Sequence, residues 1–94
     1  MGSLVEMRKS IDNIDNAIMA MLAERFKITD RVGVYKAENA LPAKDAAREA
    51  EQYLRMADLA ERYGIAADIA NNYLQTVIEA VVKNHKKIAT DYRD

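Results

Sequence analysis

The fold of this chain is decided by residues 4–38, LVEMRKSIDNIDNAIMAMLAERFKITDRVGVYKAE. Apolar or aromatic side chains recur there at alternating steps of three and four, with one gap at position 25: Leu4, Met7, Ile11, Ile14, Ile18, Met21, Ile28, Val32 and Tyr35. We call this row the first-helix seam. The spacing keeps one helix face apolar, so it predicts a single helix of roughly 35 residues and about 50 Å. A helix of that length exceeds what a compact monomer of this size needs.

Two further helices follow. Pro42 ends the first helix, because proline disfavours helix in the residue before it and lacks the N–H. We predict a second helix from about Lys44 to Arg62, and Gly64 is its natural stop. Its inward positions are predicted as Ala46 or Ala47, Ala50, Leu54, Ala57, and Ala60 or Tyr63. A third helix is predicted over about 66–91, with an inward row of Leu74, Ile78, Val81, His85, Ile88 and Tyr92. The fold class is therefore all-α, with three helices in one domain spanning 1–94.

Composition excludes several classes of function. The net charge of −1 gives no general attraction to nucleic acid or to membranes. With no cysteine and one histidine, the chain offers no disulfide framework, no thiol nucleophile and no convincing metal-ligand cluster. The first residues lack the features of a secretory signal, and no apolar run reaches about 18 residues. We therefore expect a cytoplasmic protein without metal or cofactor.

A permanent cation, Arg25, interrupts the first-helix seam between Met21 and Ile28. A guanidinium at a packing position costs several kcal/mol unless an anion pairs with it. Two interpretations follow. The anion could be a ligand, or it could be a carboxylate of this chain, with Glu24 and Asp45 as candidates.

Other charged residues fall near Arg25 in the predicted fold. Lys36 follows it by close to three turns, on the same face and about 16 Å along the axis. Arg48 adds a third cation on the second helix, and Asp45 and Glu49 on the same face could accept a hydroxyl. The alternative interpretation of that charged face is a solvated helix surface.

Two more residues bear on a site. Arg8 precedes Arg25 by about 25 Å along the helix, so only an antiparallel partner chain could bring an Arg8 to the same pocket. His85 interrupts the apolar row of the third helix, either as a hydrogen-bonded core histidine or as a catalytic group. A cationic pocket without nucleophile, acid or base suits catalysis by orientation and charge stabilisation.

These residues together resemble a known family. Arg8-x-x-Ile11-x-x-Ile14-Asp15, Leu22-Ala23-Glu24-Arg25, Val32-Gly33-x-x-Lys36 and Pro42-x-Lys44-Asp45-x-x-Arg48-Glu49 are similar, in order and spacing, to the motif of the all-helical chorismate mutases. The similarity covers nearly the whole chain. It implies an intertwined homodimer of three-helix chains. It also implies the Claisen rearrangement of chorismate to prephenate, an isomerase step of the shikimate pathway for aromatic amino acid biosynthesis.

The resemblance also implies roles for single residues. Arg25 and the partner's Arg8 would bind the substrate carboxylates, with Lys44 adding charge, and Lys36 would bind a carboxylate and the ether oxygen. Arg48 would support the pocket. Asp45 and Glu49 would receive the ring hydroxyl.

Three positions depart from the family pattern. Lys44 replaces an arginine, and Val81 replaces a small hydroxyl residue. His85 replaces the Gln or Glu that meets the ether oxygen. If its imidazolium is the useful donor, activity is expected to fall as pH rises.

Rival functions of the same fold are elimination of pyruvate from isochorismate and rearrangement of amino-substituted chorismate. The motif from Pro42 to Glu49 favours the mutase over the lyase. A rival of another class is a non-catalytic helical dimer that binds a metabolite or a partner enzyme.

Overall fold

Three helices make up the protein in the computed structural model, which describes residues 2–93. They are α1 (Leu4–Glu38), α2 (Ala46–Tyr63) and α3 (Ala67–Arg93). The all-α prediction with a long first helix is confirmed, and the predicted bounds of α1 agree with the structure. The predicted ends of α2 and α3 differ from the observed ones by one or two residues.

Local chemistry sets the helix ends. The Ser3 hydroxyl caps α1 by accepting from the Glu6 backbone N–H at 3.0 Å. After α1, Ala40 takes a left-handed conformation with φ 53°. The Asp45 carboxylate caps α2 by accepting from the Arg48 backbone N–H at 3.1 Å. Gly64 ends α2 with φ 69°, a conformation that glycine adopts without strain.

α3 is the central helix, because α1 and α2 each pack against it and make no close backbone approach to each other within residues 2–93. The buried apolar core is small: Ala60, Ala70, Leu74, Val77 and Ile78. The molecule is thin, with extents of 56 × 26 × 14 Å. Residues of all three helices border one cavity.

The predicted inward face of α2 was wrong except at Ala60. The structure leaves Leu54 76% exposed and Tyr63 70% exposed. The side chains turned towards α3 are instead Glu49, Gln52, Tyr53, Met56, Leu59 and Ala60, which are buried or half-buried. The observed face is rotated by about a quarter of a turn from the predicted one, given 100° per residue.

The first-helix seam has no cover within the chain. Each of its nine side chains is between 42% and 71% exposed, and the buried residue that α1 contributes is Gly33. None of the three helices, over the part of the chain that the structure describes, is long and apolar enough to cross a membrane.

Candidate active site

A cavity of about 420 Å³ opens between the second half of α1, the start of α2 and the middle of α3. Its lining collects seven of the nine residues predicted from sequence: Arg25, Lys36, Asp45, Arg48, Glu49, Val81 and His85. The rest of the lining is Ile28, Thr29, Val32, Ala43, Gln52, Ile78 and Val82. The cavity therefore combines an apolar wall with charged groups from two helices, the composition typical of a small-molecule site.

The side chain of Arg25 is half-buried at the cavity. Its guanidinium forms no ion pair or hydrogen bond with any residue of the described chain. Glu24 pairs instead with Lys27 at 2.8 Å, on the exposed side of α1. Asp45 is used as the cap of α2. Neither candidate carboxylate pairs with Arg25, so its charge has no counter-ion within the described chain.

Lys36 is held by two acceptors from outside its own helix. Its Nζ donates to the backbone oxygen of Ala43 at 3.1 Å, in the loop between α1 and α2. The same Nζ lies 3.4 Å from Nδ1 of His85, a long hydrogen bond. An ammonium has three N–H donors, so one remains to meet a ligand in the cavity.

His85 is 3% exposed, and both of its ring nitrogens have partners in the chain. Its Nε2 lies 2.7 Å from the backbone oxygen of Thr29. The ring packs on α1 where Gly33 has no side chain: a Cβ there would lie 2.6 Å from Cδ2 of His85 and 2.8 Å from Cδ1 of Ile88. Of the two interpretations of His85 made from the sequence, its contacts agree with a hydrogen-bonded core histidine. The edge of its ring also lines the cavity.

The charged face of α2 is organised by ion pairs. Arg48 donates to Glu51 at 3.0 Å, a pair in which both side chains are mostly exposed. Lys44 does not line the cavity. Its Nζ binds both carboxylate oxygens of Glu49, at 2.9 and 3.0 Å. Of the two side chains, Glu49 is the more buried. Lys44 therefore lies outside the cavity and pairs with the Glu49 carboxylate at its rim.

Arg8 lies outside the cavity, on the exposed first half of α1. This placement agrees with the helical distance of about 25 Å that separates it from Arg25. Val81 is half-buried beside Ile78 and Val82 and offers only apolar surface.

The sequence interpretation missed Gln52, whose half-buried side chain lines the cavity. The available signal was its spacing, three residues after Glu49 and four after Arg48, which places it on the same helix face. It also missed the backbone oxygens of Thr29 and Ala43, for which a sequence carries no direct signal.

The chain is similar to proteins of known function. A family described as Chorismate mutase type II matches residues 7–86. A chorismate mutase of Methanocaldococcus jannaschii is 34% identical over 76 residues, covering 81% of this chain and 77% of that protein.

Two longer relatives are named bifunctional chorismate mutase/prephenate dehydratase. The one from Buchnera aphidicola is 30% identical over 87 residues, or 93% of this chain and 23% of that protein. The one from Aquifex aeolicus is 34% identical over 95 residues, or 98% of this chain and 26% of that protein. The chain thus spans about a quarter of the length of these bifunctional relatives. On the matched residues and the shared identity, it belongs to the chorismate mutase type II family.

Proposed function

We propose that the chain catalyses the Claisen rearrangement of chorismate to prephenate in the cavity between its three helices. The observation that carries this proposal is Arg25, a half-buried guanidinium without a counter-ion, in one cavity with the ammonium of Lys36. Two cations facing an apolar wall suit a small dianion with an apolar ring, and chorismate is a dicarboxylate of that kind.

Substrate binding follows from the charges. Arg25 binds one carboxylate through its planar fork, and the partner subunit's Arg8 binds the other. Lys36 uses its remaining N–H for a carboxylate and the ether oxygen. Asp45 and Glu49 accept the ring hydroxyl, and the Lys44 ammonium lowers the cost of holding Glu49 beside an anionic ligand.

The chemical step needs no nucleophile, acid or base. The ether C–O bond breaks while a C–C bond forms in the same cyclic movement of electrons. Because bond breaking runs ahead, negative charge grows on the ether oxygen, and the fixed ammonium of Lys36 stabilises the transition state more than the ground state. The apolar wall of Ile78, Val81 and Val82 keeps water away, which strengthens that interaction.

We also propose that the active unit is an intertwined homodimer. The single chain exposes 7569 Å², whereas a compact protein of its 10.6 kDa would expose about 5,500 Å². The excess of about 2,000 Å² per chain is what an obligate dimer interface buries. The exposed first-helix seam is the surface that a second copy would cover.

An antiparallel pairing of two first helices supports a shared site. It brings the partner's Arg8 towards Arg25, which the chain's own Arg8 cannot reach. The twofold axis then falls midway between positions 8 and 25, at Asn16 and Ala17. Each dimer would hold two sites, each built from both subunits.

Product identification tests the function. Purified protein is incubated separately with chorismate, isochorismate and the amino-substituted analogue, and products are separated by chromatography. We expect prephenate from chorismate as the main product, absent with an Arg25→Ala, Lys36→Ala double variant. Faster release of pyruvate from isochorismate would establish the lyase instead. Tight binding of chorismate without turnover would establish a metabolite-binding dimer.

A further inference from the structure

His85 stands where three features of the structure meet: an acceptor on α1, a donor on α1 and the cavity. Its Nε2 lies 2.7 Å from the backbone oxygen of Thr29, which can only accept a hydrogen bond. The hydrogen must therefore be on Nε2. Nδ1 faces the Lys36 ammonium at 3.4 Å, and an ammonium can only donate. Both contacts are satisfied together only when the ring is neutral and Nδ1 is a bare acceptor.

We propose that His85 is a positioning residue. Its neutral imidazole, fixed by Thr29, accepts from Lys36 and holds that ammonium at the cavity, and it does not itself donate to the substrate. This inference rests on the proposed function for its catalytic consequence, although the geometry of the ring does not depend on it.

The surroundings explain how the ring keeps this orientation. His85 is 3% exposed, and it lies against the backbone of Gly33, where any Cβ would lie 2.6 Å from Cδ2. A lysine side chain is long and loses much of its rotamer entropy when it is fixed. The Ala43 oxygen and His85 Nδ1 restrain Lys36 from the loop and from α3, so less of that entropy is lost when the substrate binds.

Protonation of His85 would reverse its effect on Lys36. A hydrogen on Nδ1 would remove the acceptor and place a second positive charge beside the ammonium. The charged groups that line the cavity with His85 are Arg25 and Lys36 on α1, and Asp45, Arg48 and Glu49 on α2. The other cavity residues of α3 are apolar. The inference therefore predicts less activity in acid, which is the opposite of an imidazolium donor.

The state of the ring can be measured directly, because the chain has one histidine. Two-bond ¹H–¹⁵N correlation spectra of ¹⁵N-labelled protein at about pH 8 report which nitrogen carries the hydrogen. We expect hydrogen on Nε2 and a bare Nδ1. Lys36→Met should move the Nδ1 resonance. Asn84→Ala is the matched control, because Asn84 is the neighbouring residue of α3 that donates to Asp30 on α1, outside the cavity, and it should leave Nδ1 unchanged. Hydrogen on Nδ1, or an Nδ1 resonance insensitive to Lys36→Met, overturns the inference.

Kinetics test the consequence for catalysis. His85→Leu removes the acceptor, and a lost hydrogen bond to a charged group should lower kcat/KM about tenfold to a hundredfold. His85→Gln can accept through its amide oxygen and should restore activity to within a few-fold. Wild-type kcat/KM should fall over the acidic range in which the spectra show the ring gaining its second proton, and His85→Gln should not show that fall.

Each contrary result has a distinct meaning. Wild-type activity that rises as the ring is protonated, or full activity in His85→Leu, overturns the positioning role. Absence of any prephenate formation by the wild-type protein overturns the proposed function instead. In that case the spectra still decide whether His85 holds Lys36.

Discussion

At the scale of a single residue, Arg25 is the permanent cation that interrupts the first-helix seam. The first-helix seam on either side of it is apolar or aromatic. No carboxylate in the described chain forms an ion pair with the guanidinium. A half-buried guanidinium without a counter-ion is stabilised only when an anionic ligand or a partner subunit supplies a negative charge.

The first prediction concerns the two cavity cations. Arg25→Ala and Lys36→Ala should each lower kcat/KM about a thousandfold, because each removes a fixed charge from the transition state, worth about 3 to 4 kcal/mol. Urea unfolding of Arg25→Ala should show stability equal to or above that of the wild type. Lys27→Ala is the control, since Lys27 forms an exposed pair on the same helix. Normal turnover by Lys36→Ala, with an unfolded Arg25→Ala, would give Arg25 a purely structural role.

Residue types and spacing predicted half of the cavity lining, including every charged residue in it, but not how the charges pair. Arg25 and Lys36 were predicted to lie on the same face of α1 because the helix pitch fixes the angle and distance between them. Lys44 and Glu49 bond to each other at 2.9 Å, and this contact depends on the loop after Pro42, whose path periodicity does not define. The contacts of His85 and Lys36 could not be predicted either, because the Thr29 backbone oxygen bonds to His85 and the Ala43 backbone oxygen bonds to Lys36.

Among the helices, α1 was predicted with its true bounds because its apolar spacing keeps the same register on both sides of Arg25 and a proline follows. The face of α2 was wrong for a physical reason. The side of α2 that meets α3 also borders the cavity and carries Glu49 and Gln52. The polar side chains on that side therefore face the cavity and do not identify a solvent-exposed surface. A hydropathy pattern alone therefore assigned the alanine-rich side to the core.

The second prediction concerns the end of α2. Gly64→Ala should lower the free energy of unfolding by about 1 kcal/mol, because φ there is 69° and a Cβ would meet no other atom within 4 Å. The loss is thus one of backbone conformation and not of packing. Gly64→Asn should lose less, since asparagine tolerates the left-handed conformation. Equal losses in both variants, measured by urea unfolding, would point to a different cause.

At the scale of the whole molecule, the proposed shared site makes a prediction about hybrids. Mixing an Arg8→Ala chain with an Arg25→Ala chain should restore part of the activity, because one of the two sites in each heterodimer then holds both arginines. Refolded mixtures, separated by differential tags, give the heterodimer for assay. Heterodimers as inactive as either parent would mean that the two residues do not share a site.

The position of the proposed twofold axis gives a further prediction. The chain has no cysteine, so a single Ile18→Cys creates one thiol per subunit, on the first-helix seam and close to the axis. Mild oxidation should link the subunits. Asn16→Cys is the control, since it lies as near along α1 but about half a turn away, and it should stay unlinked. The reverse pattern on a non-reducing gel would contradict the antiparallel register.

The central place of α3 has a consequence for hydrogen exchange. Leu74 is 1% exposed and Val77 3%, and α3 is the helix that both others contact, so amides near these residues should open only when the whole chain unfolds. In the proposed dimer, a second copy covers the first-helix seam and protects the amides of residues 8–20. Their protection should therefore rise with protein concentration, while that of residues 74–78 holds until global unfolding. If the protection of residues 8–20 did not change with dilution, α1 would need no partner to keep its amide hydrogen bonds formed.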